Sequence, residues 1–188
     1  MTHLLLIVSL AWGGEFWSET SQKDNCTVFV GERAGRDYAP VRAECHWADV
    51  QPDKLRSLLT EFANHDRYFA SVSSAEHLGG DRYRQVHAVS GMSDREVILN
   101  MTIADIEGGK RFAWTKASDQ SGLSGDQVET IANTGMWEVT ASPSGGTNAV
   151  YEVYYDPGGR VPAFMVRWFQ GSGTYEVLND LRSYASSH

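Results

Sequence analysis

Cysteine is scarce in this chain, with Cys26 and Cys45 the whole complement among 188 residues. Two thiols cannot make a disulfide-dense scaffold or a four-cysteine zinc site. No Cys-x-x-Cys or His-x-x-x-His spacing occurs, so no metal is expected. Positive charge is also in deficit: Lys+Arg 16 against Asp+Glu 24 leaves a net charge of −8. A non-specific nucleic-acid binder replaces phosphate counterions with Lys and Arg, and this chain has no such surplus. The same balance gives no electrostatic pull towards anionic lipid surfaces. Catalytic signatures are missing as well: there is no Gly-x-Ser-x-Gly, His-Glu-x-x-His, phosphate loop or Gly-x-Gly-x-x-Gly. No cofactor is expected.

Long apolar runs are missing too. The stretch from Leu4 to Leu10 is apolar except for Ser9, far short of the about 20 residues that cross a bilayer. Its length suits the apolar part of an export signal, followed by small residues to Gly14 and a polar segment from Ser18 to Asn25. The expectation is a signal over residues 1–13, cleaved near Gly13, and one domain over 14–188 in an exported, periplasmic or secreted protein. The alternative is a buried amino-terminal strand or helical turn in a cytoplasmic one.

What is present suits a single globular domain: 41% hydrophobic and 21% charged residues. Thr27–Glu32 and Val41–Trp47 read as a hairpin around a turn-rich loop. Pairing centred near Gly35 would set Cys26 opposite Cys45. Two fates stay open: small buried thiols, the commoner one for free cysteine, or one disulfide. Pro52 opens a short amphipathic helix with Leu55, Leu58, Leu59 and Phe62 on one face, ending around Asn64. Period-two alternation then gives strands at 72–78, 82–90, 96–106, 111–116, 135–141 and 147–155. In the strongest of these, Val97, Leu99, Met101 and Ile103 share a face. Val161 to Tyr184 reads as one helix of about 36 Å, with Gly171 and Gly173 either admitting a close neighbour or marking a bend.

The fold class is therefore α+β: a curved antiparallel sheet of about seven strands around a long carboxy-terminal α-helix. Their apolar faces must bury against each other. The sheet offers Leu99, Met101, Phe112, Trp114, Trp137 and Val139, and the helix Phe164, Met165, Trp168 and Tyr175. Of the two faces of the last strand, Tyr151/Val153/Tyr155 is taken as inward, because the other carries Glu152. A strongly curved sheet around one helix leaves space, and a cavity with such walls would take a hydrophobic molecule.

Several segments resemble START domains, the lipid-transfer modules of the steroidogenic-acute-regulatory type. They are Trp17-Ser-Glu, Cys26 to Arg33, Val41-Arg-Ala-Glu44, the helix from Pro52 to Tyr68, and Ser93-Asp94-Arg95-Glu96. Gly135-Met-Trp137-Glu-Val and Asp156-Pro-Gly-Gly159-Arg-Val-Pro162-Ala163 look like that family's closing hairpin and its entry to the terminal helix. The likeness covers roughly Phe16 to Ser183, and its size is similar to that of the compact bacterial members. It implies a helix-grip fold with one lipid in a tunnel between sheet and helix. Val89-Ser-Gly-Met92 stands where the family often has a Pro-Trp-Pro type segment near the cavity mouth, so entry would differ here.

Inside such a tunnel a few polar groups would orient a head group. Gln85, His87 and Arg95 are the candidates; the bland alternatives are a satisfied strand histidine and an arginine paired with Asp94, Glu44 or Glu152. The loops at 91–94 and 118–125 are candidate gates. The expected function is non-enzymatic binding and transfer, or sensing, of one sterol, fatty acyl or quinone-like lipid. The partners would be that molecule and, transiently, a membrane, with the protein a monomer. The alternatives are a polyketide cyclase or aromatase, with His87, Glu152 or Tyr151 as acid or base, and a protein-interaction module.

Overall fold

The structure, a computed structural model, describes residues 17–32, 35–36, 38–88 and 91–187. The export-signal reading lies outside these residues, as do Val89 and Ser90 of the expected mouth segment. The strands are β1 (Ser18–Lys23), β2 (Cys26–Val30), β3 (Val41–Trp47), β4 (Val72–Gly79), β5 (Arg82–His87), β6 (Arg95–Ile106), β7 (Gly109–Lys116), β8 (Val128–Glu129), β9 (Ala132–Ala141) and β10 (Thr147–Asp156). The helices are α1 (Pro52–Thr60), α2 (Ala163–Phe169) and α3 (Ser172–Ser187), and a 3-10 turn, Phe62–Arg67, follows α1.

The strands form one curved sheet in the order β1-β2-β3-β10-β9-β7-β6-β5-β4, antiparallel along that path. The two-residue β8 lies parallel to β6. The sheet thus has more strands than the sequence pattern suggests. β1 escapes that pattern because Ser-Glu-Thr-Ser-Gln-Lys has no apolar alternation. It is an edge strand held by its hairpin with β2 and by Thr20 Oγ1 donating to the Val28 carbonyl at 3.1 Å. Asp24 and Asn25 turn that hairpin with φ of 54° and 61°, the left-handed pair a two-residue turn of this hand needs.

Residues 26 and 45 face each other across β2 and β3, and the two cysteines are bonded. The disulfide, not the pair of free thiols, is the form present. The terminal helix is not continuous. It breaks at Gln170–Gly171 into α2 and α3, so both roles weighed for its glycines occur, one at each. Gly171 sits at the bend, and Gly173 leaves room for the Trp168 ring, 3.0 Å from where a Cβ would stand.

The concave face divides into two parts. At one end α1 fills the sheet with Leu55, Leu58 and Leu59, while Arg56 donates to the carbonyls of Val139 and Gly108. Val139 and Phe112, with Leu178 and Leu181 of α3, belong to this solid core and are fully buried. Ile103 keeps its side of β6, opposite Phe112 of β7, but is 44% exposed, because β5 begins at Arg82, opposite Asn100. On the convex face, Arg42 bridges Glu44 and Glu152, and Arg111 pairs with Glu138.

The segment 118–125 lies on this convex face and is not a gate. Where β7 has ended, the Gln120 amide takes a strand's place: it accepts from Ile98 N–H and donates to Ile98 C=O, each at 2.9 Å. Ser124 donates twice to the buried Glu96 carboxylate. Glu96 and Ile98 alternate with Val97 and Leu99, so this loop covers the side away from the cavity.

Candidate functional site

Beyond the α1 plug the concave face does not fill. A cavity of about 180 Å³ lies between the sheet, the 3-10 turn and the α2–α3 bend, room for about six waters at roughly 30 Å³ each. Strand register explains where it begins. Across β10 and β9 the pairs run Ala149–Val139, Tyr151–Trp137, Val153–Gly135 and Tyr155–Asn133. The first pair lies wholly in the core, while Trp137, Tyr151, Val153, Tyr155 and Asn133 of the other three line the cavity. Gly135 is what keeps it open: a Cβ there would lie 2.4 Å from Trp114 Cζ2 and from the Glu152 carbonyl. The Trp114 indole therefore crosses over Gly135 and donates to Asn133 Oδ1 at 2.7 Å. Trp137 and Tyr151 pack with ring centres 4.6 Å apart.

Of the residues expected to bind ligand, Leu99, Met101, Trp114, Trp137, Tyr151, Val153 and Trp168 line this cavity, as do the polar candidates Gln85 and His87. The others do not. Phe112 and Val139 lie in the α1 end of the core. Met165 is buried outside the lining. Tyr175 points to the β1–β2 hairpin, donating to the Cys26 carbonyl and accepting from Ser21. Phe164 faces outward and is 62% exposed. The bend after Phe169 breaks the stripe that one long helix would have offered, so Tyr175, on α3, turns to the β1–β2 hairpin instead.

Arg95 also stands away from the lining. Its buried guanidinium donates to the carbonyls of Ser93, Pro157 and Gly158. It pairs with none of the three carboxylates considered for it. Its work is to clamp the turn after β10, where Asp156 accepts from Gly158 N–H at 3.0 Å.

The polar wall contains a group the sequence did not single out. The 3-10 turn swings His65 inward, where its Nδ1 lies 3.1 Å from Gln85 Nε2. Gln85 Oε1 lies 3.3 Å from His87 Nε2, and His87 Nδ1 lies 3.1 Å from the Tyr155 hydroxyl. Four side chains from three elements thus form one hydrogen-bonded row on the cavity wall. Burial drives both imidazoles to the neutral form, with His65 held down to about 3, helped by His87, and His87 down to about 4. Burial likewise pushes the hydroxyls of Tyr151 and Tyr155 up, so both stay protonated. Two buried nitrogens on lining residues have no partner, His65 Nε2 and Gln170 Nε2. Among the described residues no cluster of His, Cys, Asp and Glu could hold a metal ion.

By sequence, no family model and no curated protein matches the chain. By structure, it superposes on a STAR-related lipid transfer protein from Xanthomonas axonopodis with a TM-score of 0.79 at 17% identity, covering 90% of this chain and 98% of that one. The human StAR-related lipid transfer protein 5 gives 0.79 at 14% identity, with 90% and 86% covered. Human STARD10 gives 0.76 at 12%, with 89% and 71% covered. The chain has the START, or helix-grip, fold: a large curved antiparallel sheet closed by a carboxy-terminal helix.

Proposed function

We propose that the protein binds a single hydrophobic lipid in the cavity between sheet and terminal helices, and carries or senses it without chemical change. The observation that carries this reading is the unfilled, largely apolar chamber, kept open by Gly135 and Gly173 where side chains would otherwise push its tryptophans aside. Its structural relatives named as lipid-transfer proteins support it. Glu152, a candidate acid for a cyclase, lies on the convex face bonded to Arg42, which weighs against that alternative.

Transient membrane contact belongs to the same proposal. Ile131, 63% exposed, packs beside the Asp156–Gly159 turn, and Phe164 opens α2 just beyond it. Two large apolar side chains, one beside the turn after β10 and one at the start of α2, would offer a bilayer an apolar contact. Export is proposed as well: a disulfide such as Cys26–Cys45 persists in oxidising compartments. The test is a titration of intrinsic fluorescence with dodecane and dodecanol. Trp114, Trp137 and Trp168 line the cavity and should report saturable one-to-one uptake. No change with either ligand would overturn the reading.

A further inference from the structure

The row of four polar side chains has a direction. With Gln85 Nε2 towards His65, the amide donates to His65 Nδ1 and accepts from His87 Nε2–H. His87 Nδ1 then accepts from the Tyr155 hydroxyl. Each neutral imidazole carries its proton on Nε2. The row ends in a spare N–H on His65 and a spare acceptor on the Tyr155 oxygen. Turning the amide over reverses every bond: both imidazoles carry the proton on Nδ1, His65 Nε2 becomes an acceptor, and Tyr155 gains a free O–H. In either sense the row offers one donor and one acceptor, and no net charge.

Nothing in the lining balances a charge. Among the described residues that bound the cavity there is no Lys, Arg, Asp or Glu. Among the described residues, Arg95 is the cation whose field reaches the row, at the Tyr155 hydroxyl; the Asp156 carboxylate opposes it there, and its guanidinium is turned to three backbone carbonyls. An ionised carboxylate or phosphate brought here would lose its water with no cation in the described lining to pair with, a large cost. A hydroxyl or carbonyl would lose far less and would find partners. His65 supplies the independent sign that a group is wanted: it is over nine-tenths buried and its Nε2 finds no partner among the side chains and backbone around it, and a buried polar atom calls for one.

We infer that the cavity selects lipids whose polar end is an uncharged oxygen function, an alcohol or a ketone, seated on the His65–Gln85–His87–Tyr155 row. This rests on the lipid-binding reading and narrows it: fatty acids and phosphate-bearing lipids are excluded, and slender uncharged alcohols and ketones remain.

The test compares dodecane, dodecanol, 2-dodecanone and dodecanoate at pH 7.5 on the intact protein, by fluorescence and calorimetry. Dodecanol and the ketone should bind about tenfold tighter than dodecane, and dodecanoate at least roughly a hundredfold weaker than dodecanol. Tyr155→Phe should cost the alcohol and the ketone about tenfold and leave dodecane unchanged; Gln85→Met, which cuts the row in its middle, should do the same. Equal binding of dodecanoate and dodecanol would overturn this inference while leaving lipid binding intact. Failure of all four ligands would overturn the lipid reading itself.

Discussion

The Trp168 ring lies against Gly173 as the Trp114 ring lies against Gly135: in each case a methyl group on the glycine would meet the indole, at 3.0 and 2.4 Å respectively. Two tryptophans from opposite walls of one cavity thus depend on a missing side chain. For Gly173→Ala the helix gains about 1 kcal/mol of intrinsic preference, and the ring must retreat towards the open side. The expected outcome is stability within about 1 kcal/mol of the parent, a shifted tryptophan emission and ligand affinity several-fold weaker. Urea unfolding and a dodecanol titration check it. Gly135→Ala meets the Glu152 carbonyl as well as the ring and should destabilise the sheet outright.

Filling the chamber should separate binding from folding. Val153 lines the cavity and is only partly buried, so Val153→Trp would occupy ligand space without entering the α1 core. Uptake of dodecanol should be lost while the melting temperature moves by only a few degrees. A variant that still binds normally would place the site elsewhere.

The disulfide closes a sequence separation of 19 residues between β2 and β3. By loop-closure entropy such a bond restricts the unfolded chain by about 3 kcal/mol. Cys26→Ser/Cys45→Ser should therefore lower the unfolding free energy by an amount of that order in urea titrations, and dithiothreitol should do the same to the parent. The cavity lies at the other end of the inner face, so the affinity of whatever protein remains folded should stay within about twofold, by the additivity of distant sites.

Acid should weaken the fold before it weakens any carboxylate pair. His65 and His87 take up protons near pH 6.5 in the unfolded chain, but in the folded one only at about 3 and about 4, because burial disfavours the cation. Gln85 and Tyr155 bond to them, and Phe62, Tyr68 and Phe69 surround His65; none of these offers a negative charge. Folded pKa values below the unfolded one mean stability that is complete above pH 6.5 and falls as the pH drops towards 4. The slope is about 1.4 kcal/mol per pH unit for each histidine. Unfolding free energies measured between pH 7 and 5 should show this fall, and His87→Gln should reduce the slope by about half.

Much of this was legible in the residues. Alternation in β6, the leucines of α1, the Cys26–Cys45 opposition and the inward face of β10 are local patterns, and the coordinates place them as the sequence suggests. What was hidden depends on long-range packing. Val139 and Trp137 sit two apart on one strand face with equally apolar side chains, yet α1 covers one and the cavity opens at the other. Nothing local distinguishes them. His65 was invisible because it lies in a short 3-10 turn with no period to assign it a face. The helix bend had a signal, the Gly171/Gly173 pair, but its consequence for Tyr175 required knowing where the chain turned. The β1 strand also left one, the Asp24-Asn25 turn, in a segment too polar to read as a strand.

If Ile131 and Phe164 touch membranes, charging them should uncouple membrane contact from binding. Ile131→Asp/Phe164→Asp should lower co-sedimentation with lipid vesicles several-fold and leave dodecanol affinity unchanged. An unaltered vesicle-bound fraction would remove this surface from the account.

The most direct measurement is native mass spectrometry of the parent and Val153→Trp, each incubated with lipid extracted from the protein's own source. A chamber that takes one uncharged lipid predicts a single one-to-one adduct on the parent, of a mass matching an alcohol or carbonyl lipid, and none on the variant. Bare protein in both, or the same adduct on both, would contradict it.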